Sequence, residues 1–469
     1  MRILLVSVPA PAVRQTTIEK EFWKWHYALK EKLTYKNIPK RALKNFGNLE
    51  NQNVGLLSIA RVLLENNHKV SYLAPMPNPG LQEKDFFFKK ILGLIKSKKI
   101  EMACFSAHTC AIPNAISFAK QIRMAFPDVL AVIGGPHANG AKGKDLEELQ
   151  KNFDFVVQGP GEKQLLEIIA KTEGTKIKAK IPVFPFPANT LLNVKELPAA
   201  RVFTSLGCRK CSQCVFCADI HNKNFVARPL EKAFEEIQDF YNNFNTRYVY
   251  FGDENFFFEE KRALKAIKKV KELDLRLDFG FQARITNASE KILSSLAASN
   301  KCSEVQFGIE SANQEILNLS NKGLSFEYAK HVLAKAKKHG LTTHCYFLTG
   351  LPGETRETAM QTIRAMCSLL EKGLTDFVEY RIAVPFPGSP MYDQAEKYGI
   401  KILSRNWGLY RGENKPQHSL TALSQEQIYS LYLKGLEEVT KIYKQKHIQK
   451  FGSEKSNIAA QSAIIEGGF

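Results

Sequence analysis

No stretch of this 469-residue chain comes near the roughly 18 uninterrupted apolar residues that a membrane span needs. Its amino-terminal MRILLVSVPAPAVRQ lacks both a long apolar core and a small-residue cleavage site, so it reads as a buried first strand meeting a turn at Pro9. A cytoplasmic protein is the expectation. Internal repeats and low-complexity tracts are missing too, which excludes solenoids and disordered arrays. Acidic side chains are the scarce sign of charge, 47 against 66 lysines and arginines, for a net charge of +19. The lysines spread along helix faces such as FFKKILGLIKSKKIE and form no long basic tail. A basic solvated surface is the reading, and an anionic partner the alternative.

What is present is ordinary for a globular chain of two or three domains: 44% hydrophobic and 24% charged residues. Short apolar runs, ILLVSV, KVSYLA, IEMACFS, VLAVIGG and FDFVVQG, end near turn residues and alternate with helical patterns such as VGLLSIARVLLENN. That alternation predicts an α/β doubly wound (Rossmann-like) parallel sheet over residues 1–190, with ligands beyond the carboxyl ends of its strands. The proline-rich IPVFPFPANTLL marks a linker, after which the rhythm restarts with RVFTSL, RYVYFGD, LDFGFQARI, EVQFGIE, THCYFLTG and DFVEYRI. Six strand–helix units over 191–400 suit a partial (β/α)6 TIM-type barrel. Residues 401–469 form a helical extension in which Ser424 and Gln427 make a capping box and Ile428, Leu431, Val439 and Ile442 share the face that packs on the barrel.

Four of the nine cysteines fall within SLGCRKCSQCVFC, at Cys208, Cys211, Cys214 and Cys217. In a reducing compartment such thiols hold metal more often than they pair. Thiolates suit iron–sulfur centres, and ten residues scarcely provide the two Cys-x-x-Cys knuckles across a longer loop that zinc modules use. Cys104, Cys110, Cys302, Cys345 and Cys367 lie in apolar surroundings and read as small core residues.

The loop GC…CVFC after a strand resembles the cluster loop of radical S-adenosylmethionine (SAM) enzymes. YVYFGDENF resembles that family's second-strand motif, which implies that Gly252, Asp253 and Glu254 receive the SAM amino group. VQFGIESANQEILNLSNKG is similar to the fourth-strand region and implies Glu310 and Ser311 near ribose and methionine; Arg284 matches a position near the SAM carboxylate. FLTGLPGET, with Gly350, Gly353 and Glu354, resembles the segment that shelters adenine, and VPFPGSPMY has the family's look at the barrel's end. The family spacing is Cys-x3-Cys-x2-Cys, whereas Cys208 precedes Cys214 by x5. The SLGC flank favours Cys208, Cys214 and Cys217 as [4Fe–4S] ligands, with Cys211 the alternative first ligand. Three ligands leave one iron open for SAM.

The amino-terminal domain resembles the cobalamin-binding domain of one branch of that superfamily. The resemblance implies loops at Ser106, His108 and Thr109, at Gly134 and Gly135, and at Gly159, Gly161 and Glu162 around the cofactor. The Asp-x-His-x-x-Gly motif of an axial histidine is absent: Gly135 stands where its aspartate belongs before His137. His108 and His137 therefore read as loop contacts, with no histidine beneath the cobalt.

Together these features imply a cobalamin-dependent radical SAM methyltransferase. One SAM methylates reduced cobalamin, and a second is cleaved to the 5′-deoxyadenosyl radical that takes hydrogen from an unactivated carbon of a small-molecule or natural-product substrate, for which the positive net charge favours an anionic one. An external electron donor such as flavodoxin or ferredoxin is expected, because no second cluster motif is visible. Two other readings compete: a radical SAM dehydratase or rearrangement enzyme with cobalamin idle or absent, and a basic nucleic-acid-binding zinc protein. Cobalt content separates the first, and zinc without iron or sulfide would mark the second. A methylthio-adding RNA enzyme is disfavoured because the tail shows no small β-domain.

Overall fold

The four residues Ile3–Val6 of the first strand are fully buried, as a parallel strand covered on both faces requires. In the computed structural model, which describes residues 1–11, 15–35, 38, 52–75, 83–176, 181–182, 184–192, 194–208, 214–218 and 225–451, that strand (β1, Arg2–Ser7) pairs in parallel with β2 (Lys69–Leu73) and β3 (Met102–Ser106). β4 (Leu130–Gly134) and β5 (Phe155–Val156) complete a sheet of order β2-β1-β3-β4-β5. Leu4 and Val6 join Phe105 and Phe118 in the core on one face, while Ile3 and Leu5 join Leu56 and Leu165 on the other. Strand order reverses between β1 and β3, the place where doubly wound sheets open a ligand crevice. There Asn53 caps the helix Val54–Glu65 and lies 3.3 Å from Ser7 Oγ and 3.5 Å from Ser106 Oγ.

The second sheet holds β6 (Ala199–Val202), β9 (Tyr248–Phe251), β10 (Asp278–Ala283), β11 (Cys302–Glu310), β12 (Thr343–Thr349) and β13 (Phe377–Ile382), neighbours in that order and all parallel. Period-two alternation sends Phe251, Phe279, Phe281, Phe307 and Phe347 into the apolar core. The alternate residues Tyr250, Gln282, Gln306 and Tyr346 join one hydrogen-bonded network, with Gln306 Oε1 accepting from Tyr250 at 2.9 Å and Tyr346 at 2.7 Å.

One expectation needs correction. RVFTSL is not one strand: β6 stops at Val202, and Ser205–Leu206 (β7) pairs antiparallel with Val226–Ala227 (β8), so a short ribbon stands between barrel strand and cysteines. The helix Thr17–Leu33, capped by a Thr16–Glu19 box, buries Phe22, Trp25 and Leu29 in the barrel's core cluster. In the tail, β14 (Ile400–Ile402) and β15 (His418–Leu420) form a ribbon before the helix Gln425–Phe451. The expected cap is present there: Ser424 N–H donates to Gln427 Oε1 at 2.7 Å, and Gln427 N–H to Ser424 Oγ at 3.2 Å. Ile428, Leu431, Val439 and Ile442 are buried. Among the described residues no helix is long and apolar enough to cross a membrane.

Candidate functional site

Both sheets turn their carboxyl ends toward one shared region. After β13, Val384, Phe386 and Tyr392 pack against the core of the amino-terminal domain, joined by buried Trp407 and Tyr410 from the tail. Trp407 Nε1 donates to Glu148 at 3.1 Å, and Tyr392 donates to Asp145 at 2.8 Å. At Gly140 the approach is so close that a Cβ would overlap the Pro387 carbonyl.

Asp253 positions the cysteine loop. Its carboxylate is fully buried and accepts from Thr204 N and Thr204 Oγ1, both at 2.9 Å, from Ser205 Oγ at 2.8 Å and from Ser205 N. Burial nevertheless raises its pKa to about 6, against the hydrogen bonds and Arg262. Glu254 points the other way and accepts the Gly207 N–H at 3.0 Å, immediately before Cys208. Beyond the undescribed residues 209–213, a tight turn with Cys217 N–H on Cys214 O at 3.0 Å brings the chain back, and buried Val215 is pinned by Ser320 and Met391. Cys208, Cys214 and Cys217 are half-buried; Cys211 lies outside the described residues.

Cations gather at these sulfurs. Arg284, held at the end of β10 through Asn255 Oδ1 at 3.0 Å, sends Nη1 to Cys214 Sγ at 3.8 Å and Nη2 to Lys322 O at 2.5 Å. Burial pushes the Cys208 thiol up, while Arg284 and Lys322 pull it down and Cys214 adds to the rise. Lys322 Nζ bonds Glu310 Oε1 at 2.7 Å. Glu310 has φ of +73° beside a register break between β11 and β12, a strained backbone of the kind stored at functional sites. Thiols under positive charge fit a thiolate-ligated cluster.

The remaining barrel positions divide. Gly252 leaves little room, for a Cβ would meet the side chains of Arg201 and Phe203 at 2.9 Å. Ser311 is fully buried, with Oγ 3.1 Å from Thr362 Oγ1. Glu354 is buried as well and accepts the Gly350 N–H at 2.5 Å and the Thr349 hydroxyl at 2.8 Å; burial raises it to about 7. The carboxylates of Asp253 and Glu354 and the hydroxyl of Ser311 thus hydrogen-bond to the protein's own groups, while Glu354 Oε1 has no partner among the described residues. Gly350 itself turns through φ of +81°, with His418 Nε2 3.3 Å from its carbonyl.

In the first domain Ser106, His108, Thr109, Gly134, Gly135, Gly159, Gly161 and Glu162 lie at or just beyond the ends of β3, β4 and β5. Gly135, at φ of +92°, leaves a cradle that a Cβ would fill against Ser106 Oγ and Ala107 N. His108 is exposed, with Arg201 and Arg411 nearby. His137 is buried, its Nδ1 3.3 Å from Thr109 Oγ1 and its ring 5.0 Å from Trp407, which matches a packing contact. Thr109 is thus turned inward to His137.

Against known families, residues 202–366 match the radical SAM superfamily and residues 47–169 the B12 binding domain. The chain is a radical SAM enzyme with a cobalamin-binding domain. Those domains imply a [4Fe–4S] cluster, SAM and cobalamin. The chain is similar to an uncharacterized methyltransferase, PH0819, of Pyrococcus horikoshii, with 27% identity covering 81% of this chain and 86% of the relative. It also resembles the bacteriochlorophyllide d C-12(1)-methyltransferase of Chlorobaculum tepidum, at 22% identity over 49% of each chain. In fold, the radical SAM methyltransferase TsrM of Kitasatospora setae superposes with a TM-score of 0.59 at 16% identity, over 85% of this chain and 78% of that one. The cobalamin-dependent enzyme OxsB superposes with 0.59 at 14%, over 97% and 63%.

For this radical SAM enzyme, reading the sequence missed Lys322 and His418. Lys322 lay inside a quoted stretch, but nothing local marks its ion pair across the bulge. His418 reaches Gly350 only through the folded tail.

Proposed function

We propose that this enzyme is a cobalamin-dependent methyltransferase acting on an unactivated carbon of a small molecule. The observation that carries the proposal is the close meeting of two strand-end sites, Cys208, Cys214 and Arg284 on the barrel and the Gly135 cradle with His108 on the first domain, held together by the 384–393 segment. When bound, the cluster supplies the electron that splits SAM, and cobalamin carries the methyl group. Cys208, Cys214 and Cys217 hold the cluster, and Arg284 and Lys322 offset the charge of its thiolates. Glu254, Arg284, Glu310 and the backbone at Gly252 and Gly350 bound the SAM space; Asp253, Ser311 and Glu354 hold those segments still. Ser106, Gly134, Gly135, Gly159, Gly161 and Glu162 border the cobalamin. Tyr250, Gln282, Gln306 and Tyr346 offer hydrogen bonds to a polar substrate, and exposed His108 lies at the mouth. Reducing equivalents come from an external donor such as flavodoxin.

The test needs SAM alone. Anaerobic protein loaded with cluster and cobalamin, given a strong reductant, is expected to form S-adenosylhomocysteine matching its bound cobalamin, together with slow release of 5′-deoxyadenosine. Loaded protein that forms 5′-deoxyadenosine and no S-adenosylhomocysteine would sink the methyl-transfer reading and leave the rearrangement chemistry.

A further inference from the structure

At the opposite, amino-terminal end of the barrel sits a second group of metal-ligating side chains with no part in that chemistry. His26 comes from the helix Thr17–Leu33, His344 is the second residue of β12, and Glu379 the third of β13. Each is buried, at 1%, 1% and 8% exposure, and one ligand atom from each lies within 4.8 Å of the others. Among the described residues, His26 Nδ1 and both ring nitrogens of His344 have no hydrogen-bond partner. A buried polar atom left unpaired is costly, so two imidazoles side by side with unpaired nitrogens ask for an occupant.

The surroundings are arranged as a metal's outer partners are. Glu379 gives Oε1 to Arg381 Nε at 2.8 Å, which leaves Oε2 facing His344 Nε2 at 3.8 Å. On the far side of the ring, Glu304 Oε2 stands 3.7 Å from His344 Nδ1 and is itself fixed by Lys30 Nζ at 3.2 Å, while Oε1 takes the Tyr248 hydroxyl at 3.0 Å. A carboxylate behind a ligating imidazole sets its tautomer and raises its basicity. Lys30 and Arg381 are the cations an ion would have to tolerate, and each already faces a carboxylate.

We propose that His26, His344 and Glu379 form a mononuclear zinc site, backed by Glu304, that fastens the helix Thr17–Leu33 into the floor of the barrel. Two imidazoles and one carboxylate suit Zn²⁺. In a tetrahedral shell, bonds of about 2.0–2.1 Å set ligand atoms about 3.4 Å apart, so closure of about 1.4 Å by the widest pair brings the three ligands to bonding distance. The role is structural, since this end of such barrels serves stability. It does not depend on the methyltransferase reading.

The test is zinc analysis and zinc-edge X-ray absorption of the anaerobically purified holoenzyme, which cluster iron and cobalamin cobalt do not obscure. About one zinc per chain with a nitrogen and oxygen shell is expected. His344→Gln and His26→Gln should each lower zinc at least about tenfold while cluster iron and sulfide stay constant, the sign that the fold survives. Wild-type protein without zinc, zinc in a sulfur shell at about 2.3 Å, or zinc unchanged in both variants would overturn the proposal. Should both variants lose their clusters, the wild-type shell alone decides between nitrogen and sulfur.

Discussion

Glu354 and Asp253 are carboxylates kept inside the protein by hydrogen bonds, at a cost that depends on pH. Glu354, raised by burial to about 7, contributes stability that is complete below its unfolded value near 4.5 and is lost as pH rises through about 7. The shift from 4.5 corresponds to about 3 kcal/mol. Glu354→Gln keeps an acceptor for the Gly350 N–H and Thr349 hydroxyl and removes the charge. Its melting temperature at pH 8 should equal or exceed the parent's, and the fall between pH 6 and pH 8 should shrink; an unchanged fall would remove Glu354 as its source. The same scale shows where reading the motif GDE stopped short. Neighbouring acids on a strand end leave in opposite directions, so Asp253 turns into Thr204 and Ser205 while Glu254 reaches Gly207.

Among the elements, the helix Gln425–Phe451 was legible because its capping box and apolar spacing are both local. The helix Thr17–Leu33 carries its own Thr16–Glu19 box, yet its burial of His26 and Lys30 has no counterpart in helical periodicity. Only packing reveals such a face. Gly435 illustrates the same limit: alanine improves an exposed helix by about 1 kcal/mol. Here a Cβ would overlap the ring of fully buried Tyr380. Overpacking costs about 1–3 kcal/mol, so Gly435→Ala should lose about 1 kcal/mol net, read from the urea midpoint. A midpoint shifted upward would mean that the helix does not press on β13.

For the whole molecule, the meeting of the two strand-end faces rests on the 384–393 segment and the turn at Trp407. Gly140 is its tightest point. Gly140→Ala should leave cobalamin and cluster content unchanged but raise amide hydrogen exchange in 383–393 severalfold, because a methyl group at the Pro387 carbonyl forces the faces apart. Unchanged exchange would show that the contact does not hold this segment.

Sequence by itself determined which runs become parallel strands, the carboxyl-end location of the loops and the thiol cluster, since each rests on periodicity, turn residues or spacing within a few positions. It also carried the family, through motifs at successive strand ends. Tertiary structure alone decided which way Asp253, Ser311 and Glu354 point, that Lys322 and His418 belong to the site, and that a helix near the amino terminus closes the barrel around His344 and Glu379. Those outcomes depend on contacts between residues far apart in the chain, and a local pattern holds no record of which distant partner will satisfy a buried charge.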